Sequence, residues 1–396
     1  MVSVVNEPSL LSSTPASLLL PSPVHPSPRP RPSPYPHPYP PPPSQGRAHS
    51  QEAEFDEPAW MLMPDGLGNV RLAILSPEPK AGPEDDYGAY YDDDYDPGSN
   101  VEFILYTREH PEVGEKGIYN SSCASLGFSR FSPDRPSKIL VHGFGDAARQ
   151  SYMLPLLRDA FLSKGDYNIF LVDWSPLSMV PWYNSAATNT EVAAMMTAKL
   201  VDDLETTRGA KTSDFHLVGF SLGAHVVGIA GRILAERRPG DAGARIRRIT
   251  GLDPAQVLFT SAEPSMRIDT SDAEFVEVVH TSGGYLGFMR PLGHVDVYPN
   301  GGAWPQPGCV LDFVAVCSHR RAYYIYSEAI LAGGEGFEAQ PCAEWGNLEM
   351  GDCQGTSYRL GTEDQTSARG IFFLDTNDEA PFAKTEDQYD ENAVRR

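Results

Sequence analysis

The chain has 396 residues with a formal net charge of −22 at neutral pH, and 41% of its residues are hydrophobic. This length is enough for one large α/β domain with tails or for two ordinary domains, and the hydrophobic content supports a real core. The acidic charge excludes nucleic acid as a partner, because binding to phosphates requires clustered Lys and Arg. It also argues against electrostatic docking on anionic lipid. No apolar run approaches the roughly 20 residues of a transmembrane helix.

Residues 1–58 contain low-complexity sequence, in which Pro21–Pro43 alternates proline with Ser, Arg, Tyr and His. Such sequence favours extended polyproline II structure and cannot bury a core, so we expect a disordered tail. A signal peptide is not evident, since Leu18–Leu20 is too short for its apolar region and the first residues carry no positive charge. An expectation of secretion therefore depends on other features.

The folded domain is expected to cover residues 59–383, with a short tail at 384–396. Within the domain, residues 84–97 are acidic and rich in tyrosine. Like charges at this density repel one another, so this segment is predicted to be a disordered, solvated insertion.

From Val101 onward, short apolar segments alternate with segments of helical periodicity. The strands are predicted at 101–107, 137–141, 168–172, 215–218, 246–252 and 275–279, and the helices at 152–162, 188–208, 224–235 and 320–331. This alternation is typical of an α/β fold with a mainly parallel sheet covered by helices on both faces.

The five cysteines suggest two short-range disulfides and one free thiol, Cys123. The cysteines that lie close along the chain are Cys309 with Cys317, and Cys342 with Cys353. Such pairs indicate an oxidising compartment, and the glycosylation acceptor pattern at Asn120 agrees with an extracellular location. The alternative is a cytosolic enzyme with five reduced cysteines.

The candidate nucleophile is Ser221, in the sequence Gly219-Phe-Ser-Leu-Gly223. An apolar strand leads into this G-x-S-x-G pattern and a helical segment follows it, as in the nucleophile elbow of α/β-hydrolases. The alternative is a glycine-rich strand-to-helix turn with an ordinary serine.

A serine nucleophile needs a base and a carboxylate that orients the base, in the chain order Ser, Asp or Glu, His. Asp253 follows the strand after the elbow helix, although an Asp-Pro pair is also a common turn former. The candidate bases are His280, His294 and His319. His319 is predicted at the start of a helix with a fixed but exposed imidazole, whereas His280 follows a buried strand and is interpreted as a core histidine.

Backbone N–H groups must stabilise the oxyanion of the transition state. One donor should be the residue after the nucleophile, Leu222, and the other should come from a loop after an earlier strand. The turn His142-Gly-Phe-Gly145 follows such a strand, so Phe144 is the natural second donor.

Five motifs together resemble the pancreatic lipase family, including its insect members and its phospholipases A1. They are His142-Gly-Phe-Gly, Gly219-Phe-Ser-Leu-Gly-Ala-His, Gly251-Leu-Asp-Pro-Ala, Arg267-Ile-Asp-Thr-Ser-Asp and Cys317-Ser-His-Arg. The resemblance runs from about residue 59 to residue 382 and implies an α/β-hydrolase fold. It assigns Ser221, Asp253 and His319 to the catalytic triad, and Phe144 and Leu222 to the oxyanion hole.

The resemblance also implies a calcium loop, with the carbonyl of Arg267 and the side chains of Asp269 and Asp272 as ligands. A further carbonyl ligand falls on Pro264, where relatives often have Glu. Oxygen ligands suit a hard cation, and the ion would be structural, so no cofactor is expected for the chemistry. Without the resemblance, Asp269 and Asp272 would be interpreted as a surface turn.

Two departures from the family bear on substrate and partners. The family lid, between Cys309 and Cys317, is only Val310–Val316 here, which resembles phospholipases A1 and galactolipases rather than triglyceride lipases. Its apolar side chains either touch lipid or pack inward. The chain also ends soon after Asp375, so the C-terminal β-sandwich is expected to be missing, and colipase is not an expected partner. The pair Cys342 and Cys353 matches a family disulfide.

The resemblance therefore implies a secreted serine esterase that hydrolyses acyl esters of glycerolipids at a lipid interface. Triglyceride, phospholipid and galactolipid remain open as substrates. The alternative is a catalytically silent lipid-binding or yolk-type protein, since a fold does not determine a function. Such proteins typically lose the triad, whereas this chain has all three residues.

Overall fold

The computed structural model describes residues 59–76, 97–118 and 128–384. The proline-rich tail, the acidic residues 84–96, Asn120, Cys123 and residues 385–396 lie outside these ranges. Residue 97, predicted as the end of the acidic insertion, instead begins a 3-10 turn over Pro97–Asn100.

Thirteen strands and six α-helices are formed by the described residues. The strands are β1 (Trp60–Pro64), β2 (Val70–Ile74), β3 (Glu102–Thr107), β4 (His110–Ile118), β5 (Ser137–Val141), β6 (Asn168–Asp173), β7 (Phe215–Phe220), β8 (Ile246–Leu252), β9 (Ala273–Val279), β10 (Val295–Pro299), β11 (Glu338–Cys342), β12 (Tyr358–Arg359) and β13 (Gly370–Leu374). The helices are α1 (Met153–Lys164), α2 (Tyr183–Thr188), α3 (Thr190–Arg208), α4 (Leu222–Arg237), α5 (Val316–Ala332) and α6 (Trp345–Met350). The helix predicted over residues 188–208 is α3, which begins at Thr190 and follows the short helix α2.

Eleven of these strands form one sheet in the order β12-β11-β13-β10-β9-β8-β7-β5-β6-β3-β4. The neighbours from β13 to β6 pair in parallel, and antiparallel pairs close both edges. This strand arrangement confirms the predicted mainly parallel sheet. Because parallel strands run in the same direction, the loops after β5, β7 and β8 all leave the sheet at one edge.

Each face of the sheet is covered by helices over its own apolar core. Helices α3 and α4 pack with the side chains of one face, such as Ile139 and Val141 of β5. Helices α1 and α5 pack with the other face, where Leu140 lies. Alternate residues of β5 thus enter opposite cores, which explains why its five residues are all buried. Within the described residues, no helix is long and apolar enough to cross a membrane.

Strands β1 and β2 form a separate two-stranded antiparallel hairpin, in which Leu62 is opposite Leu72. Met63 and Ala73 on one of its faces are buried in the core on the α3 and α4 side. The hairpin is thereby fixed to the body of the domain. It was not predicted from the sequence.

Candidate active site

Ser221 lies between the end of strand β7 and the start of helix α4, with φ of 56° and ψ of −121°. A positive φ is costly for a residue with a side chain, and such strain is typical of functional turns. The glycines on both sides are required by space. A Cβ atom on Gly219 would lie 2.1 Å from the carbonyl oxygen of Gly223, and one on Gly223 would lie 2.4 Å from that of Val141. The turn therefore has the geometry of a nucleophile elbow.

Asp253 follows strand β8, the parallel neighbour of β7, and its side chain is fully buried. Its Oδ1 atom accepts hydrogen bonds from the backbone N–H groups of Thr281 (2.8 Å) and Ser282 (3.0 Å). Its Oδ2 atom lies 2.6 Å from Nδ1 of His319. These donors hold the carboxylate in one orientation and compensate for its burial.

His319 is in the first turn of helix α5, and its ring is 4.5 Å from that of Phe220 between centroids. The residue is 4% exposed, so the prediction of an exposed imidazole is wrong. The physical reason is tertiary: Phe220 packs on the ring, and Asp253 and Ser282 approach its Nδ1 atom. The prediction of a fixed imidazole is consistent with these contacts.

The other two candidate histidines have structural partners. His280 is fully buried, with Nδ1 2.7 Å from the carbonyl oxygen of Phe288 and Nε2 2.8 Å from Oδ1 of Asp296. The prediction of a core histidine is therefore confirmed. His294 accepts a hydrogen bond from the backbone N–H of Val276 through Nδ1.

The His142–Phe144 turn lies beside the elbow because β5 and β7 are parallel neighbours. A Cβ atom on Gly143 would lie 2.8 Å from the Cβ of Ser221. The turn is held by Trp174, whose indole N–H donates to the carbonyl of His142 over 2.9 Å. Within the described residues, the backbone N–H groups of Phe144 and Leu222 have no hydrogen-bond acceptor. These two donors are therefore available for a substrate oxygen.

One small cavity of about 30 Å³ lies over these groups. Ser221, His319 and Phe144 line it together, so the structure brings the candidate nucleophile, base and oxyanion donor to one place. Met63 and Pro64 of the β1–β2 hairpin also line it. That contribution was missed from the sequence, because nothing in the hairpin indicates which loop it contacts.

The sequence also missed Ser282, whose hydroxyl donates a hydrogen bond to Oδ2 of Asp253 and lies 3.3 Å from Nδ1 of His319. Gly287 leaves room for the same carboxylate, since a Cβ atom at this position would lie only 2.3 Å from Oδ1 of Asp253. Both residues come from the loop after β9, which carries no recognisable motif.

Both predicted disulfides are formed, joining Cys309 to Cys317 and Cys342 to Cys353. The first encloses the lid segment, residues 310–316. Val310, Leu311 and Phe313 of the lid are 84%, 75% and 75% exposed. Of the two alternatives for this segment, these three side chains point outward, whereas Ala315 is buried in the core.

The residues of the expected calcium loop lie in two 3-10 turns, Pro264–Met266 and Thr270–Asp272. Oδ2 of Asp272 accepts from the backbone N–H of Asp269 over 2.7 Å, whereas its buried Oδ1 has no hydrogen-bond partner within the described residues. Burial raises the pKa of Asp272 to about 8. A buried carboxylate oxygen without a donor, near the second carboxylate of Asp269, fits a hard cation. The guanidinium of Arg267 also approaches, with Nη1 3.7 Å from Oδ2 of Asp269.

Comparison with known proteins gives consistent matches. The family model described as Lipase matches residues 92–382. Pancreatic lipase-related protein 2 of Rattus norvegicus is 37% identical over 277 residues, which cover 64% of this chain and 56% of that protein. Lipase member H-A of Xenopus laevis is 34% identical, over 65% of this chain and 54% of that protein. Inactive pancreatic lipase-related protein 1 of Homo sapiens is also 34% identical, over 71% and 64%.

The chain thus spans about half to two thirds of the length of these relatives. Among solved structures, an esterase of Pyrobaculum calidifontis aligns at 14% identity with a TM-score of 0.29, over 38% of this chain and 59% of that chain. The family model, by contrast, covers well over half of the chain and includes the elbow, Asp253 and His319. The chain belongs to the pancreatic lipase family.

Proposed function

We propose that this protein is a serine-dependent hydrolase of lipid esters, in which Ser221, His319 and Asp253 act as a catalytic triad. The observation that carries the proposal is the 2.6 Å contact between His319 Nδ1 and Asp253 Oδ2, at the cavity that Ser221 also lines. Membership of the lipase family supports the reaction class.

In the proposed mechanism, His319 keeps its proton on Nδ1 and donates a hydrogen bond from this N–H to the Asp253 carboxylate, which leaves the lone pair of Nε2 free to act as the base. Ser221 loses its proton to this nitrogen and attacks the ester carbonyl carbon. The N–H groups of Phe144 and Leu222 stabilise the oxyanion. His319 then returns the proton to the leaving alcohol, and water releases the acyl group by the same route.

The finer proposal is that the substrates are glycerolipids, so that the protein acts as a lipase or as a phospholipase A1. Support for the phospholipid side comes from the lid, which has only the residues 310–316 between its cysteines. A short lid leaves more room for a bulky polar head group. Hydrolysis of phosphatidylcholine, triolein and galactolipid under the same conditions ranks the three classes. The two disulfides also support an extracellular location.

The replacement Ser221→Ala tests the reaction class. We expect it to lower kcat for a soluble short-chain ester by roughly 10⁴- to 10⁶-fold, because the members of a triad act as a unit. A fluorophosphonate probe should label the wild-type protein and not this variant. Ser129→Ala, at an exposed serine, serves as the control and should keep both ester hydrolysis and labelling by the probe.

One human relative of similar identity is named inactive, which makes a silent lipid-binding protein the second candidate. Absence of labelling and of ester hydrolysis in a folded wild-type protein would establish that candidate. Near-wild-type turnover by Ser221→Ala would reject the triad.

We also propose a structural calcium ion held by Asp269 and Asp272 with the carbonyls of Pro264 and Arg267. The ion would supply positive charge to the buried Asp272 carboxylate, and it takes no part in the reaction. Calcium should therefore raise the unfolding temperature, because a ligand that binds only the folded state stabilises it. Asp272→Asn should remove this calcium response, whereas Asp352→Asn, at an exposed site, should keep it. An equal response in all three proteins would contradict the proposal.

A further inference from the structure

The β1–β2 hairpin has apolar side chains on both faces, whereas one face of a surface hairpin is ordinarily polar. Its inner face packs on the domain through Met63 and Ala73. Its outer face is apolar and open. Leu62 and Leu72 are directly opposite each other and are 40% and 46% exposed, and Trp60 is 61% exposed. The outer hairpin face is defined by Trp60, Leu62, Val70 and Leu72.

The outer hairpin face continues across an open groove of about 640 Å³ to the lid. Leu62 and Val70 line the groove from the hairpin, and Val310, Leu311 and Phe313 line it from the lid. All five side chains are exposed. Two chain segments that are distant in sequence therefore present one apolar surface, and such surfaces mark sites of interaction.

This surface adjoins the candidate active site. Successive residues of strand β1 enter different spaces: Leu62 lines the groove, and Met63 lines the cavity with Ser221. Arg320, which follows His319, lines both spaces. A molecule that covers the groove therefore lies at the entrance to the site. A protein partner there would obstruct that entrance, whereas an aggregated lipid would deliver substrate to it.

We propose that the outer hairpin face and the lid side chains Val310, Leu311 and Phe313 form a lipid-docking surface. Its occupant is the acyl-chain region of an uncharged or zwitterionic lipid surface. The driving force is the removal of apolar area from water. The net charge of −22 opposes attraction to anionic lipid. The inference rests on the proposed function, to which it adds a specific role for the hairpin.

The test uses the full chain carrying Ser221→Ala, so that vesicles remain intact, and phosphatidylcholine vesicles as the probe. Leu62→Gln with Leu72→Gln should weaken partition into the vesicle fraction at least about tenfold, since two large apolar side chains lose their contact with lipid. Met195→Gln with Met350→Gln is the control, because these side chains, on α3 and α6, are apolar and at least as exposed as Leu62 and Leu72. The control should partition within about twofold of its parent, and phosphatidylserine should not strengthen binding.

The docking proposal is rejected if the hairpin variant and its parent partition equally into the vesicle fraction. It is also rejected if the wild-type protein is a dimer that this variant dissociates without any change in vesicle binding. A cross-link from the hairpin to residues 84–96, in a protein that does not bind vesicles, would reject it as well. Unfolding temperatures verify folding, and Trp60→Gln provides a second, single-site variant with the same expected direction. Binding is measured without catalysis, so a failure of ester hydrolysis rejects the proposed function and leaves docking intact.

Discussion

Ser282 contacts both the carboxylate and the imidazole of the candidate triad. Its hydroxyl donates to Oδ2 of Asp253, the atom that also contacts His319 Nδ1. The hydroxyl does not line the cavity over Ser221, so it would not touch substrate. Ser282 is therefore a positioning residue, which directs the carboxylate toward the imidazole.

Ser282→Ala is expected to lower kcat for a soluble ester about tenfold with little change in KM. A hydrogen bond to a charged group is worth about 1.5–3 kcal/mol, and its loss lets the carboxylate turn away from His319 where the imidazolium develops. Steady-state kinetics measure this split, and Ser282→Thr, which keeps the hydroxyl, should restore most of kcat. A kcat within twofold of wild type in the Ala variant would contradict the assignment.

At the scale of residues, strand order was sufficient to predict part of the candidate site. Ser221 and Asp253 each come directly after a parallel strand, so their proximity required only that β7 and β8 be neighbours. Spacing alone left three later histidines open, and the choice of His319 came from the family resemblance of the motif Cys317-Ser-His-Arg. Ser282 belongs to a loop without a motif, and its role depends on a contact across 29 residues.

At the scale of elements, the lid is hydrogen-bonded to the start of helix α5. Asp312 accepts from the backbone N–H groups of Cys317 (3.0 Å) and Ser318 (2.9 Å) and from the Ser318 hydroxyl (2.7 Å). Trp304 donates from its indole to the carbonyl of Asp312. The carboxylate thus accepts hydrogen bonds from the N–H groups of the first turn, and its negative charge interacts favourably with the positive end of the helix dipole. Since His319 is the next residue, the lid helps to fix the imidazole.

Asp312→Ala should lower the free energy of unfolding by about 1–2 kcal/mol, the usual cost of losing a helix-capping side chain. Urea denaturation measures this change. Asp352→Ala, at an exposed aspartate, should remain within about 0.5 kcal/mol of wild type. Equal stabilities of the two variants would mean that the lid does not support α5.

Strands β1 and β12 were not predicted because neither shows the hydrophobic alternation by which a strand is recognised in a sequence. Strand β1 is apolar throughout, so it lacks the alternation that identifies a half-buried strand. Its two faces are explained only by the domain on one side and the open groove on the other. Strand β12 pairs with β11 at the edge of the sheet and has two residues, which is too short for any periodicity. Pattern recognition succeeds where one face of an element is buried, as in α3.

At the scale of the whole molecule, two buried histidines make the free energy of unfolding depend on pH. His216 of strand β7 is buried, with Nε2 2.8 Å from the hydroxyl of Thr250. His225 of α4 has Nε2 2.7 Å from the carbonyl oxygen of Ala255 and accepts from the N–H of Ile268. Burial lowers the pKa of each imidazole to about 3. Both are therefore neutral in the folded protein.

An unfolded histidine has a pKa of about 6.5. Between about pH 6.5 and pH 3, His216 and His225 are therefore protonated in the unfolded chain but not in the folded protein. Their contribution to stability is present above pH 6.5 and is lost as the pH falls toward 3. Each histidine adds up to about 1.4 kcal/mol per pH unit to the slope of the unfolding free energy in this range.

His225→Gln is expected to reduce that slope by up to about 1.4 kcal/mol per pH unit, whatever its effect on stability at neutral pH. Glutamine can donate to Ala255 and accept from Ile268 but does not titrate, so the variant removes one proton from the linkage. Urea denaturation at several values between pH 4 and 6.5 gives the slopes. His110→Gln, at an exposed histidine, should leave the slope unchanged. If the His225 variant matches wild type in slope, the imidazole is protonated in the folded protein, and burial in α4 does not keep it neutral.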